Sequence, residues 1–208
     1  CIRDSLRTMM SVVGMLPVLI LLAVIFEVMS GRFMSVNNLS NVMQQASINI
    51  VLASGMTFVI LTGGIDLSVG SILATSAMVA VIVSLIPEVG WLGVPAAMGV
   101  GLACGLANGI LISALKLPPF IVTLGSLTAV RGIARLLGND TTVFNPDLPF
   151  DVIGNGSLFG IPWLAIIAFV VVLASWFVLK RTVLGTWIYA TGGNPEAARL
   201  TGIKVPLV

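Results

Sequence analysis

Long stretches without a charged residue divide this chain, and they constrain its fold more than any other feature. They cover residues 8–26, 33–65, 67–87, 89–115 and 152–179. A helix needs about 20 predominantly apolar residues to cross the hydrocarbon layer of a bilayer, so each stretch has room for a span. The stretches lack the strict alternation of a membrane β-strand, which leaves helices as the spanning structure. They therefore predict an all-α, polytopic transmembrane bundle.

The composition supports a membrane protein and excludes several other classes. Hydrophobic residues make up 58% of the 208 residues and charged residues 9%, whereas a soluble domain carries about 25% charged residues. Two cysteines, Cys1 and Cys104, are too few for a disulfide scaffold. The absence of histidine removes His-based triads and most metal sites. A net charge of +2 is too small to indicate nucleic-acid binding. We predict no catalytic residue, metal or cofactor.

Six membrane segments are predicted, at residues 9–26, 45–61, 69–86, 91–115, 120–137 and 161–179. The segment 120–137 is the least regular, because it follows Pro118-Pro119 and carries Arg131 and Arg135. It is either an ordinary span whose arginines reach the outer interface, or a short or re-entrant piece of the kind that lines transport paths. We interpret the whole chain, 1–208, as one transmembrane domain.

Basic residues in the short loops give the predicted orientation. Arg3 and Arg7 precede the first segment. If all six segments cross, Lys116 and the basic residues after position 179 lie on the same side as Arg3 and Arg7. The loop 138–160 holds three aspartates and no basic residue, and it falls on the opposite side. The N-terminus is therefore expected to be cytoplasmic.

Small residues recur at every fourth position of the segment 91–115. They are Ala97, Gly101, Gly105, Gly109 and Ser113. Residues four apart share one face of a helix, and such stripes of small residues let two helices approach closely. The stripe therefore predicts tight packing against another helix, with the wall of a narrow pore as the alternative.

A polar loop joins the second and third segments. Gly63-Gly64 is expected to end one helix, and Asp66 or Ser68 to cap the next. The alternative is that the loop dips into the membrane and offers polar atoms to a substrate or a gate.

Polar side chains within or near the spans are candidates for lining a translocation path. They are Gln45, Asn49, Asp66, Asn108 and Arg131. An unsatisfied polar group in lipid is costly, so these side chains should face other helices or water. Hydrogen bonding between helices is the alternative role, and Asp66 alone is a candidate ion carrier.

The cytoplasmic segment 180–205 contains a compact helix start. Asn194 is placed as the N-cap, Pro195 at the first helical position and Glu196 in the first turn, near the positive end of the helix dipole. Gly202 can end the helix. A short, capped, amphipathic helix of this kind is suited to dock a cytoplasmic partner.

Motifs in three stretches of the chain resemble one known family. Glu196-Ala197-Ala198-x-x-x-Gly202 matches the E-A-A-x-x-x-G signature of bacterial ABC-transporter permeases. The motifs Gly192-Gly193-Asn194-Pro195, Thr62–Gly70 and 119–125 with Arg131-Gly132 are similar to the ribose, xylose, arabinose and galactose permeases. The resemblance covers about residues 38–208.

The resemblance implies a permease subunit in the bacterial inner membrane that helps to import a monosaccharide. It implies a second permease subunit, identical or different, two ABC ATPase subunits below and a periplasmic sugar-binding protein above. The residues implied to couple the permease to the ATPase are Gly192, Gly193, Asn194, Pro195, Glu196, Ala197, Ala198, Arg199 and Gly202. Family members continue with further spans, so we expect this chain to be a fragment.

Other classes of function compete with this interpretation. The chain has no G-x-x-x-x-G-K-[ST] phosphate loop, so ATP hydrolysis is expected on a separate subunit and the chain is not an enzyme. A secondary transporter or channel driven by an ion gradient is the alternative. An intramembrane enzyme is disfavoured because the spans contain neither histidine nor paired acids.

Overall fold

The computed structural model describes residues 14–207, and it is built almost entirely of helices. The helices are α1 (Leu16–Ser30), α2 (Val36–Leu61), α3 (Val69–Ser84), α4 (Gly93–Ser113), α5 (Pro119–Leu137), α6 (Asp151–Asn155), α7 (Trp163–Arg181), α8 (Val183–Gly193) and α9 (Pro195–Leu200). Single 3-10 turns lie at Gly90–Leu92 and Val205–Leu207. The strands β1 (Ser157–Leu158) and β2 (Ile161–Pro162) form a short antiparallel ribbon. Arg3 and Arg7, on which the predicted orientation depends, lie outside the described residues.

Four helices are long and apolar enough to cross a membrane: α2, α4 with its preceding 3-10 turn, α5 and α7. The helices α1 and α3 are apolar but shorter. These six segments confirm the predicted transmembrane helical bundle, and several boundaries shift. The first segment ends at Ser30 instead of residue 26. The second segment begins at Val36 instead of residue 45, which makes α2 about 39 Å long at 1.5 Å per residue. The third ends at Ser84 instead of residue 86.

The segment after Pro118-Pro119 is an unbroken helix of 19 residues. Pro119 occupies the first helical position, where the missing N–H would have no partner in the helix anyway. The prolines therefore start α5 and do not interrupt it, which favours an ordinary span over a re-entrant piece. In its last turn, Arg135 pairs with Asp140 at 2.7 Å. Both side chains are exposed, so the pair contributes at most about 1 kcal/mol.

Contacts divide the chain into two compact units, with the boundary inside α2 between Gln45 and Ala46. In the first unit, the Glu27 carboxylate accepts a hydrogen bond from the Met34 N–H at 2.8 Å. The side-chain amide of Asn38 donates to the Phe33 carbonyl at 2.7 Å. These two bonds hold the turn between α1 and α2. A single domain over 1–208 remains a prediction.

In the second unit, α3 is the central helix and packs against both α4 and α5. Its buried positions are small or polar: Ser71, Thr75, Ala80 and Ser84. The Thr75 hydroxyl lies 2.9 Å from the Ser71 carbonyl oxygen of its own helix and 3.0 Å from the Val130 carbonyl oxygen of α5. Small side chains let the helices approach closely, and the shared hydroxyl links α3 to α5.

The stripe of small residues on α4 packs closely over only part of its length. A Cβ added at Gly101 would lie 3.8 Å from the Ser76 hydroxyl of α3, whereas one added at Gly105 or Gly109 would meet no described atom within 4 Å. A helix turns by 100° per residue, so every fourth position drifts by about 40°. Within the described residues the close approach is at Gly101, and tight packing of the second half of the stripe stays a prediction.

The loop between α5 and α7 folds over the ends of α3 and α4. The Asn145 amide donates to the carbonyl oxygen and to the hydroxyl of Ser84, both at 2.9 Å. The Phe150 ring lies so close to α4 that a Cβ added at Gly93 would be 2.6 Å from its Cε1 and 2.7 Å from the Ala80 carbonyl oxygen. Only glycine leaves room for this packing.

We expect Gly93→Ala to lower stability by about 1–3 kcal/mol, because either the Phe150 ring or the backbone of Ala80 must move. The measurement is the apparent melting temperature of the purified protein in detergent. Gly99→Ala on the same helix is the matched control, since the added methyl meets no described atom within 4 Å and alanine favours the helix. Equal losses in the two variants would contradict the close packing at Gly93.

Candidate functional site

The end of α2 is a helix-terminating turn built on two glycines. Gly63 has a left-handed φ of +83°. Its N–H donates to the Ile60 carbonyl at 3.0 Å, and the Gly64 N–H donates to the Val59 carbonyl at 3.0 Å. This pair of bonds is a Schellman motif, which satisfies carbonyls that the last turn of a helix leaves free. The prediction that Gly63-Gly64 ends the helix is confirmed.

Asp66 and Ser68 bond to each other instead of capping α3. One carboxylate oxygen of Asp66 accepts from the Ser68 N–H at 2.7 Å and from the Ser68 hydroxyl at 2.6 Å. Ser68 occupies the N-cap position, but its side chain accepts no hydrogen bond from the helix. The predicted side-chain cap is therefore wrong. The carboxylate shapes the loop around Ser68, which is fully buried, and hydrogen bonds to an ionised acceptor are the stronger kind.

Two distant helices hold this loop. The Asn108 amide of α4 donates to the Ser68 hydroxyl oxygen at 3.0 Å. The Thr123 hydroxyl of α5 lies 3.1 Å from the Ile65 carbonyl oxygen. Asn108 and Thr123 are both buried. We call Asp66, Ser68, Asn108 and Thr123 the polar junction, because they join the α2–α3 loop to α4 and α5.

The polar junction is a satisfied hydrogen-bond network in an apolar bundle. A polar group buried without a partner is costly, whereas a network in which each member has a partner stabilises one arrangement. Ser68 carries the chain of bonds, since its hydroxyl accepts from Asn108 and donates to Asp66. The loop 62–68 is thus held in position, while Asp66 stays partly accessible.

The five candidate path residues lie in two kinds of surroundings. Asp66 and Asn108 meet in the polar junction through Ser68. Gln45 and Asn49 are exposed positions of α2, and Arg131 is an exposed position of α5. For Asn108, this favours the role of bonding between helices.

Sequence reasoning had treated Ser68 only as a cap, and it had missed Thr123. Both lie within motifs that carried the resemblance, and the immediate sequence neighbours of each are apolar. A hydroxyl in such surroundings is a signal for a buried hydrogen bond, because it needs a partner. The sequence did not indicate which partner each would find.

The helix α9 is capped as predicted. The Asn194 side-chain oxygen accepts from the Ala197 N–H at 3.0 Å, and Pro195 is at the first helical position. Gly202 has a left-handed φ of +89°, and its N–H donates to the Arg199 carbonyl at 3.1 Å. The helix covers only six residues, Pro195–Leu200. Asn194 is extended and separates α9 from α8.

One face of α9 is buried and the other is free. Ala198 is 3% exposed, whereas Leu200 is 89% exposed. Glu196 and Arg199 are also exposed. The helix therefore presents two opposite charges and an apolar side chain away from its own chain, which suits a partner of mixed polarity.

The helix α8, which the sequence analysis did not predict, supports α9. The Thr182 hydroxyl oxygen accepts from the Gly185 N–H at 3.3 Å and caps α8. Gly185, Ile188 and Thr191 are its buried positions. The Thr191 hydroxyl is buried, and it has no hydrogen-bond partner among the described residues. Gly192 and Gly193, implied as docking residues, form the end of α8.

We expect Ser68→Ala to lower stability by about 1–3 kcal/mol, because it leaves the buried Asn108 amide without its acceptor. The readout is the midpoint of thermal unfolding in detergent. Ser54→Ala is the control, since the Ser54 hydroxyl donates to the Ile50 carbonyl of its own helix. A midpoint for Ser68→Ala as high as that of the control would mean that the network contributes nothing to stability.

Thr123→Val is expected to loosen the loop 62–68 while keeping the volume of the side chain. It removes a hydroxyl that lies 2.9 Å from the Pro119 carbonyl oxygen of α5 and 3.1 Å from the Ile65 carbonyl oxygen. A hydrogen bond of this kind contributes about 0.5–1.5 kcal/mol, so amide hydrogen exchange in the loop should become faster. Thr128→Val is the matched variant on the same helix, because its exposed hydroxyl bonds the Gly125 carbonyl at 2.8 Å. If both variants leave exchange in the loop unchanged, Thr123 does not anchor it.

Comparison with known proteins places the chain in a family. The family model described as "Branched-chain amino acid transport system / permease component" matches residues 38–207. No solved structure matches the chain.

Curated relatives agree over most of the chain. The ribose import permease protein of Escherichia coli is 40% identical over 197 residues, which are 92% of this chain and 61% of that protein. The corresponding figures for the ribose import permease protein of Haemophilus influenzae are 42% over 196 residues, 90% and 59%. The D-allose transport system permease protein of Escherichia coli is 37% identical over 196 residues, with 92% and 60% covered. The chain thus spans about three fifths of the length of these relatives, and it belongs to the branched-chain amino acid transport system / permease component family.

Proposed function

We propose that this chain belongs to the membrane-spanning permease subunit of an ATP-driven importer of monosaccharides. The observation that carries the proposal is α9, a capped helix whose Ala198 is buried against its own chain while Glu196, Arg199 and Leu200 remain free to meet a partner. A separate ABC ATPase subunit is the proposed partner at this surface. The sugar-import names of three relatives support the class of substrate.

The grouping of helix ends supports this arrangement. Gly64, at the end of α2, lies next to Pro119, at the start of α5. At the other ends of α3 and α4, the loop 138–162 covers Ser84 and Gly93. We propose that α9, the end of α2 and the start of α5 face the cytoplasm. The loop 138–162 is proposed to face the periplasm. This orientation corresponds to a cytoplasmic N-terminus.

The proposed mechanism is mechanical. ATP binding and hydrolysis on the ATPase subunits would move α9, and the spans would switch between outward-open and inward-open arrangements. A second permease subunit would complete the path, and a periplasmic sugar-binding protein would deliver the substrate. The chain itself has no phosphate-binding loop, which agrees with hydrolysis elsewhere.

Sugars present hydroxyl groups, so the proposed path needs hydrogen-bonding side chains. Asp66 is the strongest candidate, because it is a partly accessible carboxylate at a helix break. Gln45, Asn49 and Arg131 remain proposed path residues on the exposed faces of α2 and α5, and Asn108 is proposed to act through Ser68. Ribose is a pentose and allose a hexose, so the proposal names monosaccharides and no single sugar.

We expect Glu196→Lys to reduce the amount of ABC ATPase that co-purifies with the full-length permease and to lower ATP-dependent sugar uptake in proteoliposomes. The substitution inverts a charge on the free face of α9 and removes a favourable acid from its first turn. Glu88→Lys, at an exposed position between α3 and α4, is the charge-matched control for ATPase association.

The same proteoliposomes separate the two classes of transporter. Uptake that requires internal ATP and persists with an uncoupler supports the proposal. Uptake that continues without the ATPase subunit and collapses with an uncoupler would overturn it in favour of a gradient-driven carrier, for which Asp66 is the candidate ion-binding residue.

A further inference from the structure

The end of α8 meets the end of α2 at a single glycine. A Cβ added at Gly192 would overlap the Leu61 carbonyl oxygen, and it would lie 2.9 Å from the Leu61 carbonyl carbon and 3.4 Å from the Thr62 Cα. These are backbone atoms, which cannot swing aside as a side chain can. At Gly193, one residue further on, an added Cβ would meet no described atom within 4 Å. Gly192 is still accessible on its other side, so the close approach is local.

The helix α8 is held at both ends by such approaches. At its start, a Cβ added at Gly185 would overlap the Leu179 carbonyl oxygen of α7 and lie 2.5 Å from the Val178 carbonyl oxygen. Between the two glycines, Ile188 and Thr191 are buried. A packed helix transmits a displacement along its length, because close-packed interiors deform little. Movement of α9 would therefore reach α8 through one residue, Asn194.

On the other side of the contact lies the loop that carries the polar junction. Leu61 is the last residue of α2, and the Schellman turn at Gly63 follows directly. Four residues after Leu61, the Ile65 carbonyl bonds Thr123 of α5, and Ser68 bonds Asn108 of α4. The covalent route from α9 to α5 instead runs back through α8, α7 and the whole loop 138–162. The Gly192 contact is a far shorter connection.

We infer that Gly192 is the positioning residue through which the docking helix acts on the polar junction. This inference rests on the proposed function, and it separates Gly192 from the other residues implied to couple to the ATPase. Gly192 packs against the α2 backbone and lets α9, α8 and the loop 62–68 move as one body. Its lack of a side chain is what the contact requires.

Transport stoichiometry is the first test, in the assembled importer with its ATPase and sugar-binding protein. Gly192→Ala is expected to lower the sugar moved per ATP hydrolysed, because the displaced α8 would no longer pass the movement of α9 to the loop 62–68. Gly55→Ala on α2 is the control, because its added methyl meets no described atom within 4 Å. A normal ratio of sugar to ATP in Gly192→Ala would overturn the inference.

Amide hydrogen exchange is the second test, and it does not depend on transport. In the wild-type complex, a non-hydrolysable ATP analogue should change exchange at residues 62–68 together with 188–193. Gly55→Ala, whose added methyl meets no described atom within 4 Å, should keep the response at 62–68, and Gly192→Ala should lose it. If Gly192→Ala does not assemble, the wild-type experiment decides. Exchange at residues 62–68 that does not change when the nucleotide analogue is added would contradict the inference.

The two proposals fail in different ways. Wild-type uptake that does not depend on ATP would remove the proposed function. Wild-type uptake that is driven by ATP, combined with a normal ratio of sugar to ATP and a normal exchange response in Gly192→Ala, would remove only the inference about Gly192.

Discussion

The hydrogen bond between Asn108 and Ser68 is the interaction on which the centre of the bundle depends. In a bilayer there is no water to hydrate a buried amide or hydroxyl, so each must find its partner inside the protein. Ser68 accepts from Asn108 and donates to Asp66, and one serine thereby joins α4 to the loop that begins α3. The Thr123 hydroxyl, close to the Ile65 carbonyl, joins the same loop to α5. Three helices are thus fixed around a segment with no regular structure of its own.

Close packing of small residues complements this network. Apolar side chains provide little drive for helices to associate in lipid, so contact area and short approach distances matter more. Ser71 and Thr75 on α3, together with Gly93 on α4, keep these approaches short. The same device recurs at Gly185 and Gly192, where the backbone of α8 meets the ends of α7 and α2. Glycines at these positions act by the volume that they leave empty.

The hydrogen-bond network and the close packing of small residues together connect the proposed docking helix to the proposed path. The helix α9 is short and depends on α8 for its position, and α8 depends on two close approaches. A permease driven by a separate ATPase needs a rigid connection from the docking surface into the membrane, since motion at the surface must reach the spans. The structure offers such a connection at the end of α2, next to the loop that contains Asp66. The partly accessible Asp66 carboxylate therefore lies between the contact of Gly192 with Leu61 and the core of the bundle.

Much of the architecture could be predicted from the sequence. The uncharged stretches located five of the six segments, because the thickness of the hydrocarbon layer sets the length of a span. The turn at Gly63-Gly64 and the cap at Asn194 followed from local rules, since each depends on residues within a few positions. The errors concerned the bounds of helices and the hydrogen-bond partners of polar side chains. The start of α2 at Val36 was missed because residues 36–44 include several polar side chains and were left out of the predicted segment. These residues are still compatible with a helix.

The sequence by itself determined that the chain is a helical membrane protein, where its helices break, and that Asn194 caps α9. These properties depend on composition and on local hydrogen bonding. Only the tertiary structure decided that Ser68 bonds Asn108, that Thr123 approaches the Ile65 carbonyl, and that Gly192 rather than Gly193 meets Leu61. Residues far apart in sequence form these contacts, and their choice depends on how the helices rotate against one another. A spacing of four residues shows which positions share a face, but not which face meets a neighbour, as the drift of Gly105 and Gly109 out of the α4 interface demonstrates.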